Sequence, residues 1–108
     1  MLGSLAFLVL TAAQPSGPVY LECVTDQYGE PYHWNITLNE QQGTAEFNTK
    51  VGRRRTNAQF TADKVLFAGF TLSRVDLTMQ RPVASLDLTG TVLEKGSCQI
   101  AKPVDRAF

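Results

Sequence analysis

Beyond its eighteenth residue the chain repeatedly alternates apolar and polar side chains, and this pattern admits one kind of secondary structure. A period of two puts neighbouring side chains on opposite faces of an extended strand, whereas a helix needs a period of 3.6. Tyr32, Trp34, Ile36 and Leu38 share one parity and His33, Asn35, Thr37 and Asn39 the other. After the polar connection Glu40 to Gly43, Ala45, Phe47, Thr49 and Val51 alternate with Thr44, Glu46, Asn48 and Lys50. The two segments read as a hairpin with one buried face.

The same reading extends in both directions. Val19, Leu21 and Cys23 form an earlier strand, ended by a turn between Asp26 and Pro31 that holds Gly29. Downstream, Ala58, Phe60 and Ala62 share a face, Val65 to Ala68 is a short apolar run, and Gly69 ends or bends it. Phe70 and Leu72 have a parity that Val75, Leu77 and Met79 do not, so the phase slips near Ser73 and Arg74, as a β-bulge would make it. Arg81 and Pro82 mark a turn, Leu86, Leu88, Gly90 and Val92 a further strand, and Glu94 to Gly96 a last turn before a short strand with Cys98 and Ile100. The expectation is an all-β domain: a small antiparallel up-and-down barrel or sandwich of seven to eight short strands, without helix, internal repeat or linker after Pro18.

No ionisable side chain precedes Glu22. Leu2 to Leu10 is almost wholly apolar, and Thr11 to Ala13 supply the small residues a leader peptidase needs. Residues 1–13 therefore read as a signal peptide, 14–18 as a short linker and 19–108 as the single β domain. A membrane span needs about 20 apolar residues, and this run stops near half that length, so no stable span is expected in the mature form. The expected location is outside the cytoplasm, periplasmic or secreted. In that setting the two cysteines, Cys23 and Cys98, are most simply a disulfide. Neither has a second cysteine or a histidine at metal-ligand spacing, so no metal is expected. Closing so long a loop stabilises a fold by about 4 kcal/mol on the chain-entropy account.

Function is less constrained. Basic and acidic residues balance at 10 each, so no global field draws the chain to nucleic acid. His33, the single histidine, lies on the polar face of a strand, and with both cysteines oxidised no nucleophile is set beside it. Paired carboxylates, phosphate-cradling glycines and cofactor motifs are absent from the sequence, so neither an enzyme nor a cofactor is expected. The dense cluster Arg53, Arg54, Arg55 is placed in a loop at a hairpin tip, where guanidinium groups either stay solvated or clamp an anionic partner. Tyr28, in the turn before Pro31, is a second exposed contact candidate, whereas Trp34 has the parity of the core. Asn35-Ile36-Thr37 fits a glycosylation pattern, but strand placement makes it a poor acceptor.

This layout of an exported, single-disulfide domain of short strands resembles the periplasmic inhibitors of c-type lysozyme, whose fold is a small eight-stranded barrel. The resemblance is one of architecture and transfers no residue. The expected role is a non-catalytic binding or interaction module acting on another exported protein, as an inhibitor does. The alternatives are a small-ligand carrier with a barrel cavity, or a surface component. A barrel of about eight strands is only just wide enough for side chains to fill, and Trp34, Phe47, Phe60 and Phe67 supply the bulk.

Overall fold

The computed structural model describes residues 17–101, so the expected leader and most of the linker lie outside the described residues. Nine strands, more than the seven to eight expected, form one antiparallel sheet: β1 (Val19–Gln27), β2 (Glu30–Asn39), β3 (Thr44–Thr49), β4 (Gly52–Asn57), β5 (Gln59–Phe60), β6 (Lys64–Phe67), β7 (Phe70–Ser73), β8 (Thr78–Ala84) and β9 (Thr91–Ala101). The spatial order is β4-β3-β2-β1-β9-β8-β7-β6-β5. Every neighbouring pair except β1 and β9 is a hairpin or a short connection, as short loops demand. The pairing of β1 with β9 closes the sheet toward a barrel, and the remaining gap falls in mid-chain between β4 and β5.

Local chemistry sets the turns. Tyr28 and Gly29 between β1 and β2, and Ala68 and Gly69 between β6 and β7, all have positive φ. Two such residues in a row make the tight loop whose twist matches the flanking strands. The expected alternation fills the interior. Leu21, Cys23, Trp34, Ile36, Leu38, Ala45, Phe47, Val65, Phe67, Phe70, Leu72 and Met79 form one buried cluster. Trp34 meets Tyr32, Phe47 and Phe70 edge-on at centroid distances of 4.6, 5.9 and 5.2 Å. The barrel interior is therefore occupied by rings.

Cys23 and Cys98 are directly opposite on β1 and β9 and form the expected disulfide. Such bridges form and persist in oxidising compartments. At Gly96 the two strands leave no room for a side chain, because a Cβ would stand 2.7 Å from Thr25 Cα and even nearer to Val24 O. Only glycine fits there.

Four expectations are corrected. Arg53 to Arg55 lie within strand β4, because the turn comes earlier, at Lys50 and Val51, where Val51 is 96% exposed and not a core residue. Leu86, Leu88 and Gly90 belong to the loop between β8 and β9 and not to a strand. Arg81 and Pro82 lie inside β8, and Glu94 to Gly96 inside β9, because these form one long hairpin paired from Thr78↔Ser97 to Ala84↔Thr91. The phase slip after Leu72 is a turn between β7 and β8 and not a bulge; it exposes Val75 and returns Met79 to the core. Among the described residues no helix is long and apolar enough to cross a membrane.

Candidate functional site

The β8–β9 hairpin extends past the last ladder partner of β9 on β1, Thr25↔Gly96, and is anchored at its base by a buried polar network. Arg81 on β8 and Glu94 on β9 are register partners, and both point to the inner side. Glu94 is 3% exposed. Its carboxylate accepts hydrogen bonds from Arg81 Nε at 2.9 Å, from Gln27 Nε2 at 3.1 Å and from the Thr25 hydroxyl. Thr25 in turn accepts from the Trp34 indole N–H at 2.9 Å. The Arg81 guanidinium lies over Phe70, 4.3 Å from the ring centroid, and 5.5 Å from that of Trp34. Burial pushes the Glu94 carboxyl upward most strongly, but the hydrogen bonds from Thr25, Arg81 and Gln27 and the Arg81 charge together hold it below its ordinary value.

The tip carried on this base is internally braced. Ser85 N donates to Gly90 O at 3.0 Å and Leu88 N to Ser85 O at 2.9 Å. Asp87 Oδ1 accepts from the Ser85 and Thr89 hydroxyls at 2.7 and 2.8 Å and from Thr89 N at 3.1 Å. Those bonds, Ser85 first, hold the Asp87 carboxyl down at about 2. Between the polar braces Leu86 and Leu88 are 77% and 81% exposed, and Leu88 sits at φ 60, an unfavourable region for a side-chain-bearing residue.

The same turn occurs twice. In Asp76-Leu77-Thr78, before β8, Asp76 Oδ1 also accepts from the following threonine hydroxyl and N–H, at 2.8 and 3.1 Å, and Leu77 also has φ 60. Leu77, however, lines an apolar recess of about 210 Å³ at the other end of the barrel, with Leu21, Leu38, Phe60, Val65 and Leu72. Leu88 reaches into solvent. The triplet Asp-Leu-Thr stands in the sequence at 76–78 and 87–89, and an aspartate two residues before a threonine is the signal that could have marked the tip as a turn where alternation pointed to a strand.

Of the residues singled out from the sequence, Tyr28 stands beside this hairpin. Its ring is half exposed, and its hydroxyl donates to Ala84 O at the end of β8, so it braces the arm. Arg53, Arg54 and Arg55 are elsewhere, on β4. Arg53 and Arg55 flank Glu46 at 3.7 and 4.0 Å, and Arg53 also donates to Asn35 O at 3.2 Å, where β3 leaves β2. Arg54 is on the opposite face, in register with Phe47. His33 is exposed on the outside of β2, and the structure brings it to none of the other candidates. Among the described residues no group of three or more histidine, cysteine or acidic side chains is placed to hold a metal ion.

Compared with protein-family models, curated proteins and solved structures, the chain matches none.

Proposed function

We propose that this chain is an exported, non-catalytic interaction module that inserts the β8–β9 tip into an apolar cleft of another exported protein, as an inhibitor loop does. The observation that carries the reading is the pairing of exposed leucines with a braced loop. Isolated exposed apolar residues are ordinary, but Leu86 and Leu88 sit on a turn whose polar groups are already bonded to one another. A loop held in one conformation loses little entropy on docking, which favours affinity. The cross-strand disulfide supports an oxidising destination, either periplasmic or extracellular. Both sulfurs are consumed in that bridge, which removes the thiols as nucleophiles.

A photo-crosslinking residue at position 88, compared with one at the outward-facing position 35, tests the reading in the exported fraction of the source organism. A discrete adduct from position 88 alone, suppressed by an excess of the unlabelled protein but not by an excess of its Leu86→Ser/Leu88→Ser variant of unchanged stability, is the expected result. Equal labelling from both positions, or capture unaffected by the serines, refutes it. A second reading, a small-ligand carrier, draws on the 210 Å³ recess at the opposite mouth, the interior itself being filled by Trp34, Phe47, Phe67 and Phe70. Saturable binding of an apolar probe there, lost in a Leu77→Lys variant of unchanged stability, is its test.

A further inference from the structure

The open seam of the barrel suggests a second contact surface, independent of the hairpin tip. Strand β4 is hydrogen-bonded only to β3, and the two-residue β5 covers only Val65 and Leu66 of β6. Antiparallel partners alternate between pairs that exchange both backbone bonds and pairs that exchange none. Ala58 N donates to Gly43 O, which fixes the phase: Arg54 and Thr56 turn their backbone groups to β3, and Arg53, Arg55 and Asn57 turn theirs away from it. Those outward groups form an unpaired edge beside a groove of about 440 Å³ lined by Asn57, Gln59, Leu66, Phe67 and Gly69 among others. On the inner side the rings of Phe47 on β3 and Phe67 on β6 are 5.9 Å apart and both are buried.

The charge on this edge is one-sided. Arg53, Arg54, Arg55 and the preceding Lys50 are exposed on or next to β4, and Glu46 is the carboxylate paired with two of them. Arg54 makes no ion pair or side-chain hydrogen bond among the described residues. Charged edges usually prevent sheets from joining, and here a second copy of β4 would bring arginines against arginines. The same charges favour an incoming strand of opposite sign. We propose that β4 is an acceptor edge for an extended acidic segment of another polypeptide, added as a further antiparallel strand in the seam. Its carboxylates stand beside Arg53 and Arg55 on the outer face, and its other side chains take the parity of Arg54 and Thr56. Main-chain bonds to Arg53, Arg55 and Asn57 supply the pairing and the charges select the partner.

The test uses the disulfide-bonded protein and a synthetic peptide of about eight residues, a usual strand length, alternating valine and glutamate, with a valine and lysine peptide as control. Binding is followed by fluorescence anisotropy, and amide exchange is read by NMR. The expected result is binding of the acidic peptide only, weakened by salt, with new protection at the amides of Arg53, Arg55 and Asn57 and no change at Arg54. Arg53→Gln/Arg55→Gln is expected to weaken binding at least about tenfold, equivalent to about 1.4 kcal/mol, while leaving the near-ultraviolet circular dichroism unchanged. The proposal is overturned by no binding at millimolar peptide, by equal binding of the lysine peptide, or by binding without the alternating protection, which indicates charge adhesion only. Edge-to-edge dimerisation of the protein itself overturns it as well. Should the double variant not fold, the protection pattern in the unmodified protein decides alone.

Discussion

Replacing Arg81 by methionine keeps the side-chain stem against Phe70 and removes the charge that Glu94 faces. Glu94, 3% exposed in the unmodified protein, would keep Thr25 and Gln27 as its hydrogen-bond donors among the described residues. Removing one member of a buried pair typically costs about 3–5 kcal/mol, because the other charge is left without its counter-ion. A Coulomb estimate agrees: at an effective dielectric of about 20, unit charges about 4 Å apart interact by about 4 kcal/mol. Because the Arg81 side chain is 27% exposed, solvent screening places the expected loss near the lower end, about 3 kcal/mol. Against a net stability of about 5–10 kcal/mol for a domain of this size, that is a large fraction. The assay is urea unfolding followed by the fluorescence of Trp34, the single tryptophan.

The pH dependence has a definite sign. Glu94 titrates below its ordinary 4.5 in the folded protein, so its stabilising contribution is complete above about that pH and is lost as pH falls through the lower folded value. Without Arg81 the folded value rises, since burial is less opposed. The stability gap between Arg81→Met and the unmodified protein should therefore be widest near neutrality and narrow toward pH 4. Arg81→Met/Glu94→Leu should recover most of the loss, because an apolar pair needs no counter-charge. A single-variant cost under about 1 kcal/mol, or additive effects in the double variant, refutes the account of this network.

Gly96→Ala should cost more than about 3 kcal/mol, since the new methyl meets backbone atoms of Val24 and Thr25 that cannot give way; Gly90→Ala, with open space around it, should change urea stability by less than about 1 kcal/mol. A Cys23→Ala/Cys98→Ala variant should lose about 4 kcal/mol for a loop of 75 residues yet keep the β1–β9 ladder, and an unchanged melting temperature would contradict this. The Thr89 amide resonance should titrate with a midpoint of about 2, reporting Asp87, whose bonds to Ser85 and Thr89 persist above that pH and are lost as pH falls through it; a midpoint near 4 would show that the tip is not braced.

The strands with one buried face were legible from their residues alone. In β1, β2, β3 and β6 alternate side chains lose water to the same core, so the pattern of apolar residues is the pattern of burial. The all-β class and the place of Trp34 follow from that, whereas the joining of Cys23 to Cys98 followed from the cysteine count and the lack of metal-ligand spacing around either one. Strand β4 has no such signature, because Gly52 to Asn57 lies at an edge with neither face covered, and three arginines are as compatible with a loop as with a strand.

Leu86 and Leu88 carry the alternation of a strand, yet an Asp-Leu-Thr turn holds them in solvent. Arg81 and Glu94 have the charge of surface residues, yet their parity with Met79 and Cys98 carries them inward, where each makes the burial of the other tolerable. Side-chain type reports the cost of leaving water, and this alone determined the class of fold and the main core. Which charged or apolar group actually left water depended on its partner across the sheet, and only the pairing of the strands into a nearly closed sheet decided that.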